Sequence, residues 1–203
     1  GAKADVLCMD NGDEATLLAW QGQTAELLQS LTGQAGDGWS QPQAAQPWVL
    51  RRRELLNPGS QGGPVYLLDW QPQIGTLPLW ESGDLVSLSV PADPQRSRDY
   101  SIASVPEDGH LHLLVRQSMR ADGTPGLASG WLCEGMALGD VLPMRLRAHS
   151  GFRLGDNAER PLLLIGNGTG LAGLCSHIRA RIAQGRSDQW LVFGERSADQ
   201  DAL

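Results

Sequence analysis

The sequence predicts two architectures in tandem, an antiparallel β part followed by a parallel α/β part, and three observations predict it. Between residues 48 and 147, short apolar runs recur about every ten residues with turn signals between them, as in an antiparallel barrel or sandwich. The 203 residues include 25 Gly and 12 Pro, about 18% of the chain against a usual ~12%, which favours many turns. From Pro161 the period changes. A continuous apolar run, a glycine cluster, a helical stretch and a second apolar run follow in order, which is a βαβ unit.

Residues 5–9 form a short apolar run, and Asp10-Asn11-Gly12-Asp13 is a turn and helix-start signal. Leu17, Leu18, Trp20, Ala25, Leu27, Leu28 and Leu31 recur at helical spacing and predict an amphipathic helix over 14–31, ending at Gly33. Residues 33–46, rich in Gly, Gln, Pro and Ala, read as a linker. Strands are expected over 48–55, 65–70, 77–80 and 85–90; in the last, Leu85, Ser87 and Ser89 alternate with Val86, Leu88 and Val90. Pro91-Ala92-Asp93-Pro94 reads as a break before the strand holding residues 98–104, and 110–117 and 141–147 complete the β part. Beyond it, 161–165 is expected to be buried on both faces of a parallel sheet. A helix over 171–183, with Leu174, Ile178 and Ile182 four apart, and a strand over 190–193 follow. The domain boundaries are therefore 1–45, 46–156 and 157–203.

Composition narrows the functions. Hydrophobic residues at 41% and charged residues at 19% suit a soluble globular chain. A net charge of −7 argues against broad nucleic-acid or anionic-membrane binding, though not against a local basic cradle for a phosphate. No signal peptide and no apolar run of ~20 residues is present. Cys8, Cys133 and Cys175 lie far apart without a C-x-x-C, as reduced thiols in a cytosolic setting would. His110, His112, His149 and His177 show no ligand spacing with cysteines or acids, so no metal site is expected.

Three stretches carry chemistry. In Arg98-Asp99-Tyr100-Ser101-Ile102-Ala103-Ser104, strand alternation points Arg98 and Tyr100 one way and Ser101 the other. The run offers a cation for a phosphate, a flat face for a planar ring and a small donor at the ring's edge; a plain structural strand has the same composition. In the segment 124–133, Ser129 falls in the first turn of a short helix, where unpaired N–H groups favour an anion and Gly126 permits close approach. A capped connecting helix also accounts for this segment. Gly166-Asn167-Gly168-Thr169-Gly170 joins strand to helix, and Gly168, Gly170 and Gly173 satisfy G-x-G-x-x-G in a setting that places a pyrophosphate on a helix N-terminus. Glu195, ending the second strand, is where a ribose-binding acid would sit.

With these pieces in order, residues 46–203 resemble the ferredoxin-NADP reductase superfamily, most of all flavoprotein reductases of the sulfite reductase and cytochrome reductase kind. The carriers are R-D-Y-S-I-A-S at 98–104, G-L-A-S-G-W-L at 126–132, G-N-G-T-G-L-A-G at 166–173 and F-G-E-R-S-A-D-Q-D at 193–201. The resemblance implies an antiparallel Greek-key FAD-binding barrel followed by a parallel α/β domain for NADPH. It implies that Arg98 and Asp99 border the FAD, that Arg98 neutralises its pyrophosphate and that Tyr100 stacks on the ring. Ser101 would hydrogen-bond near the flavin position that receives hydride. Leu114, Val115 and Arg116 would contact the flavin through their backbone, and Gly126, Leu127, Ala128 and Ser129 would hold the pyrophosphate. Gly166, Gly168, Thr169, Gly170 and Arg196 would form the NADP site, with Thr169 near the nicotinamide. Ser101 and Thr169 are thus the expected catalytic pair.

The implied activity passes hydride from NADPH to FAD and then single electrons to an acceptor protein or domain. The alternative is an FAD-binding relay or regulatory module with a degenerate nucleotide half. The chain departs from its relatives in having only residues 91–97 where diflavin reductases carry a large helical insert. It also has Glu195 where cytochrome reductases have cysteine, and Gly173 where proline is common. The nucleotide-binding domain is expected to be incomplete, and residues 1–45 to be the last strand, helix and connector of an upstream flavodoxin-like FMN domain. The implied location is cytoplasmic, with tethering of a parent protein to the inner membrane left open.

Overall fold

The structure is a computed structural model in which residues 14–32 and 44–201 are described. The chain divides into two compact units, residues 1–42 and 43–203. The first contributes helix α1 (Glu14–Thr32), which matches the apolar period, and in which Thr24 Oγ1 donates to the Trp20 carbonyl at 2.8 Å. The strand expected at 5–9 and most of the expected linker lie outside the described residues.

The second unit opens with six strands: β1 (Gln46–Leu55), β2 (Val65–Pro72), β3 (Leu85–Val90), β4 (Asp93–Ser101), β5 (Leu111–Arg116) and β6 (Val141–Arg147). They form one antiparallel sheet in the order β4-β3-β6-β1-β2-β5. The run β6-β1-β2-β5 has the spatial order of a Greek key, with the β3–β4 hairpin inserted between β2 and β5. A bridge between Ile102 and Leu113 and a bond from the Ala103 N–H to the His112 carbonyl (2.8 Å) join the two sheet edges, which curls the sheet into a barrel. The alternation read from residues 85–90 holds: Val86, Leu88 and Val90 are buried and their neighbours half-buried. With Trp48, Leu50, Leu68, Trp70, Leu111 and Leu113 they form one core, which Ala128, Leu132, Cys133 and Met136 close from below. Ala128, Leu132 and Cys133 come from a short helix, α2 (Leu127–Gly130), and a π-type turn (Trp131–Gly135), and the N–H of Met136, just past that turn, reaches back to the Trp131 carbonyl.

Two expectations in the barrel are corrected. Residues 77–80 are irregular rather than a strand. Pro78 cannot donate to a ladder, and Trp80 is buried as a plug, its Nε1–H bonded to the Ser104 carbonyl at 3.0 Å. Residues 91–94 are not a break: only Pro91 and Ala92 turn, and β4 begins at Asp93, pairing back on Val90. Proline is tolerated at position 94 because β4 is an edge strand.

The chain then forms β7 (Leu162–Asn167), a 3₁₀ turn (Gly168–Gly170), α3 (Leu171–Ala183) and β8 (Gln189–Gly194), with β7 and β8 parallel. This is the expected βαβ unit, but β7 is not buried on both faces. Only Leu164 is buried, while Leu163, Ile165, Trp190 and Val192 are 63%, 68%, 77% and 51% exposed. Register puts Leu163 beside Trp190 and Ile165 beside Val192, so all four share a face. Among the described residues α3 is the helix of this sheet, and it packs on the opposite face. Of the three apolar residues four apart, Leu174 is buried, Ile178 half-buried and Ile182 exposed. Leu171, Ser176, His177 and the fully buried Arg181 are turned inward beside Leu174. Arg181 donates from Nε to Gln189 Oε1 (3.1 Å), from Nη1 to the Ala158 carbonyl (2.6 Å) and from Nη2 to Asp188, tying helix to strand.

Barrel and βαβ meet at a polar seam. The Gly83 N–H donates to Ser176 Oγ at 3.1 Å, His177 Nδ1 lies 3.1 Å from Ser82 Oγ, and the Phe152 ring sits 5.0 Å from that of His177. Gly83 is required here: its φ is +95°, and a Cβ would meet the Phe152 carbonyl oxygen at 2.6 Å. Arg153 grips the buried Asp84 through Nε and Nη2 at 2.7 and 2.8 Å. Burial alone would raise the Asp84 carboxyl, but bonds from Arg153 and from the backbone N–H groups of Glu81 and His149 outweigh it and hold it below its ordinary value.

Candidate functional site

Two of the three predicted stretches meet in one groove of about 380 Å³. β4 contributes Arg98 and Tyr100, and the segment opening α2 contributes Gly126, Leu127, Ala128 and Ser129. The same groove holds Asp93, Arg96, Ser118 and Arg120, which sequence reasoning missed. Arg96 was legible in principle, since it shares the strand alternation of Arg98 and Tyr100 once β4 is extended to Asp93.

Three guanidinium groups against one carboxylate make the groove locally basic on an acidic chain. Arg98 is held in place by Asp93 Oδ2 (2.7 Å) and by the Arg96 carbonyl (2.9 Å). Burial pushes the Tyr100 hydroxyl above its ordinary value, against the pull of Arg98, so it stays protonated. Opposite them, the Ser118 N–H donates to Ser129 Oγ (3.0 Å), the two hydroxyls are 2.8 Å apart, and the Gly126 N–H donates to the Ser118 carbonyl (2.6 Å). A Cβ at Gly126 would meet Ser118 Oγ at 2.1 Å and Ser129 Oγ at 2.8 Å. The glycine is therefore demanded by this serine pair, a reason the sequence did not reveal.

Other predicted residues lie elsewhere. Asp99 points away from the groove and bonds Ser87 Oγ and Arg147, because it alternates with Arg98 and Tyr100 along the strand. Ser101, paired with Leu85, is half-buried at the end of β4 and does not line the groove. In β5, Val115 faces the core, Leu114 alternates with it, and Arg116 reaches the glycine turn instead: its Nη2 donates to Glu195 Oε1 at 2.7 Å.

The third stretch forms a second locus. Gly168 has φ +51°, and a Cβ there would meet Arg116 Nη2 at 3.3 Å and Glu195 Oε1 at 3.4 Å, so the ion pair rests against the turn. Thr169 is half-buried in the 3₁₀ turn, and Arg196 is exposed just past β8. Arg196 Nη1 and Arg116 Nη1 lie 3.7 and 3.1 Å from a Cβ placed on Gly62, so both cations border this locus. Gly166 serves packing, since a Cβ would strike Leu174 Cδ1 at 2.7 Å, whereas nothing lies within 4 Å of one at Gly170. Thus Gly168, Arg116 and Arg196 are brought together, with Glu195 as the partner.

The barrel also holds a triad outside both loci: Asp69 on β2 with His110 and His112 at β5, ligand atoms within 4.8 Å of one another. Spacing in sequence concealed it, because the acid comes from the neighbouring strand.

A barrel joined to a parallel βαβ, with arginines at each of the two loci, is a fold shared with ferredoxin-NADP reductases. No family model matches the sequence. The chain is similar to the sulfite reductase [NADPH] flavoprotein alpha-component of Vibrio vulnificus, with 34% identity over 112 residues, 52% of this chain and 18% of that protein. The corresponding protein of Sodalis glossinidius is 36% identical over 127 residues, covering 59% and 20%. Among solved structures, a cytochrome P450 reductase of Amycolatopsis is 28% identical, with TM-score 0.64 over 83% of this chain and 48% of that one. A ferredoxin-NADP+ reductase of Plasmodium falciparum shares the fold at 17% identity, with TM-score 0.66 over 78% and 66%. The chain spans about a fifth of the length of the curated relatives it matches.

Proposed function

We propose that the chain is the flavin-binding core of an NADPH-dependent reductase, in which hydride from NADPH is taken up at FAD and single electrons leave toward a carrier such as FMN, haem or an iron–sulfur protein. One observation carries this: the arginine–tyrosine strand and the serine turn, distant in sequence, line the same groove. The groove fits the group. Arg96, Arg98 and Arg120 supply charge for a pyrophosphate, and Tyr100 offers an aromatic face worth ~0.5–1.5 kcal/mol in stacking. When bound, the flavin supplies the step between two-electron and one-electron chemistry. The residues of this chain bind and orient. Arg98 and the Ser118–Ser129 pair hold the phosphate end, Tyr100 backs the ring, and Ser101 and Thr169 are assigned to aligning the reacting atoms.

In this scheme residues 46–156 are the flavin module and 157–203 the nicotinamide-binding part. Residues 1–45 are the end of a flavodoxin-like domain with its connector. The similarity to sulfite reductase [NADPH] flavoproteins supports NADPH as the donor. The location that goes with this function is cytoplasmic. The test is to load the longest native form of the protein with FAD and follow flavin absorbance on adding NADPH or NADH. Bleaching with NADPH is expected, and no bleaching with either nucleotide refutes a reductase.

A second function, an FAD-binding relay or regulatory module that takes no nicotinamide, is favoured by the Arg116–Glu195 pair lying against Gly168. It predicts FAD binding without measurable NADPH binding in equilibrium dialysis.

A further inference from the structure

The triad of Asp69, His110 and His112 lies on the barrel wall, and none of the three lines the flavin groove or borders the glycine turn. Asp69 and His112 are register partners across β2 and β5. Asp69 is 8% exposed, and the two imidazoles are half-buried with ring centroids 6.1 Å apart. We propose that Asp69 Oδ, His110 Nδ1 and His112 Nε2 bind a single divalent transition-metal ion of the zinc class, leaving a fourth position open.

The donor set is the first ground. Two imidazoles and one carboxylate are what a borderline divalent ion takes when three protein ligands leave a position free. Spacing is the second. His112 Nε2 and Asp69 Oδ2 face each other at 3.8 Å, too far for a hydrogen bond. Two ligand atoms on ~2.0–2.1 Å bonds to a tetrahedral ion stand ~3.3 Å apart, so a small closure seats the metal. His110 Nδ1 is 2.6 Å from Asp69 Oδ1 and has to withdraw only slightly.

Orientation is the third ground. The other ring nitrogen of His110 lies 3.3 Å from the Gln71 amide. With metal on Nδ1 the proton sits on Nε2, and a half-turn of the Gln71 amide presents its oxygen to accept it, a partner of the kind that fixes metal-bound imidazoles. The backbone of His112 is pinned on both sides: its N–H donates to Ser104 Oγ (3.0 Å), and its carbonyl accepts from the Ala103 N–H (2.8 Å). Charge is the fourth. Asp69 is a buried carboxylate facing two imidazoles, and the neighbouring cation Arg179 is engaged by Asp108 at 3.2 Å. A divalent ion supplies the charge that the protein does not.

The test uses the purified protein, freed of metal by dialysis against a chelator and titrated with zinc by calorimetry, then with cobalt for its visible spectrum. One equivalent of zinc and the intense bands of four-coordinate cobalt are expected, with a zinc-dependent rise in the unfolding midpoint. His110→Ala and His112→Ala should each weaken binding at least about 100-fold and abolish the midpoint shift. Gln71→Leu, which removes only the orienting partner, should weaken it about 10- to 100-fold. Substoichiometric zinc uptake by the wild-type chain overturns the proposal, as does affinity unchanged in folded His110→Ala and Gln71→Leu. Flavin binding does not enter these readouts, so the outcome is independent of the proposed reductase function.

Discussion

Replacing Gly126 with alanine tests whether the serine pair, rather than backbone freedom, is what the glycine protects. The backbone at 126 has φ −58° and ψ 141°, open to any residue. Restricting the unfolded chain would therefore stabilise the variant by about 0.4–1 kcal/mol. Against this, the new Cβ would lie 2.1 Å from Ser118 Oγ and 2.8 Å from Ser129 Oγ. Both atoms end short rotatable side chains, so the clash is relieved by rotation rather than by backbone movement. Rotation forfeits the hydroxyl–hydroxyl bond and the bond from the Ser118 N–H to Ser129. Two such bonds at about 0.5–1.5 kcal/mol each leave a net loss of about 1–2 kcal/mol after the entropic gain. Urea unfolding reads this as a lower midpoint at unchanged slope. The decisive arm is the same substitution in a Ser118→Ala background, where the nearest clash and the hydroxyl–hydroxyl bond are already gone while the backbone N–H of residue 118 still donates to Ser129. There the penalty should fall by about 1 kcal/mol. A variant as stable as wild type, or a penalty undiminished in the Ser118→Ala background, refutes the reasoning.

Tyr100→Ala should weaken FAD binding about tenfold, the equivalent of a stacking contact near the top of the ~0.5–1.5 kcal/mol range; fluorescence titration of the flavin checks it, and unchanged affinity removes Tyr100 from the site. Asp84→Asn should cost about 3 kcal/mol, because Arg153 loses its buried counter-charge. The Asp84 carboxyl titrates below its unfolded value of 3.8, so its contribution is complete above that pH and is lost as pH falls through the folded value. The stability gap between wild type and variant should then narrow below about pH 4, and a gap that widens toward acid contradicts the assignment. Burial pushes the Cys133 thiol up to about 12, so alkylation at pH 8 mapped by mass spectrometry should leave it unmodified until the chain unfolds.

The parts of the fold legible in sequence were those governed by local rules. The alternation of residues 85–90, the glycine turn of β7 and the amphipathic 14–31 stretch each report a single periodicity, and the structure has β3, the βαβ and α1 there. What failed depended on neighbours far along the chain. Leu77 and Trp80 are apolar because they pack against the barrel, and hydropathy does not distinguish a plug from a strand. Pro94 looked like punctuation until β4 proved to be an edge, where a missing donor costs nothing. The apolar texture of β7 and β8 promised burial on two faces, but one face of that pair is bare among the described residues. Within the site, alternation had already set Arg98 and Tyr100 apart from Ser101, and the same rule removes Asp99 from the groove. Arg120 and Ser118 could not be found that way, because the loop that returns them to β4 has no period. The Asp69–histidine triad joins positions 41 residues apart, a pairing set by strand register alone.

The outer rim of β4 has a consequence for how the molecule behaves in a crowded solution. The barrel closes onto β5 just past the end of this strand, at the Ile102–Leu113 bridge and the Ala103–His112 bond, so much of the β4 backbone is a template on which a foreign strand could add. Pro94 interrupts the template, and Arg96 and Arg98 crowd it with like charge, which discourages a second copy of the same strand from docking. The guanidinium groups that make the groove attractive to a phosphate are thus also the ones that keep the barrel from sticking to itself. Variants that neutralise them give up that protection.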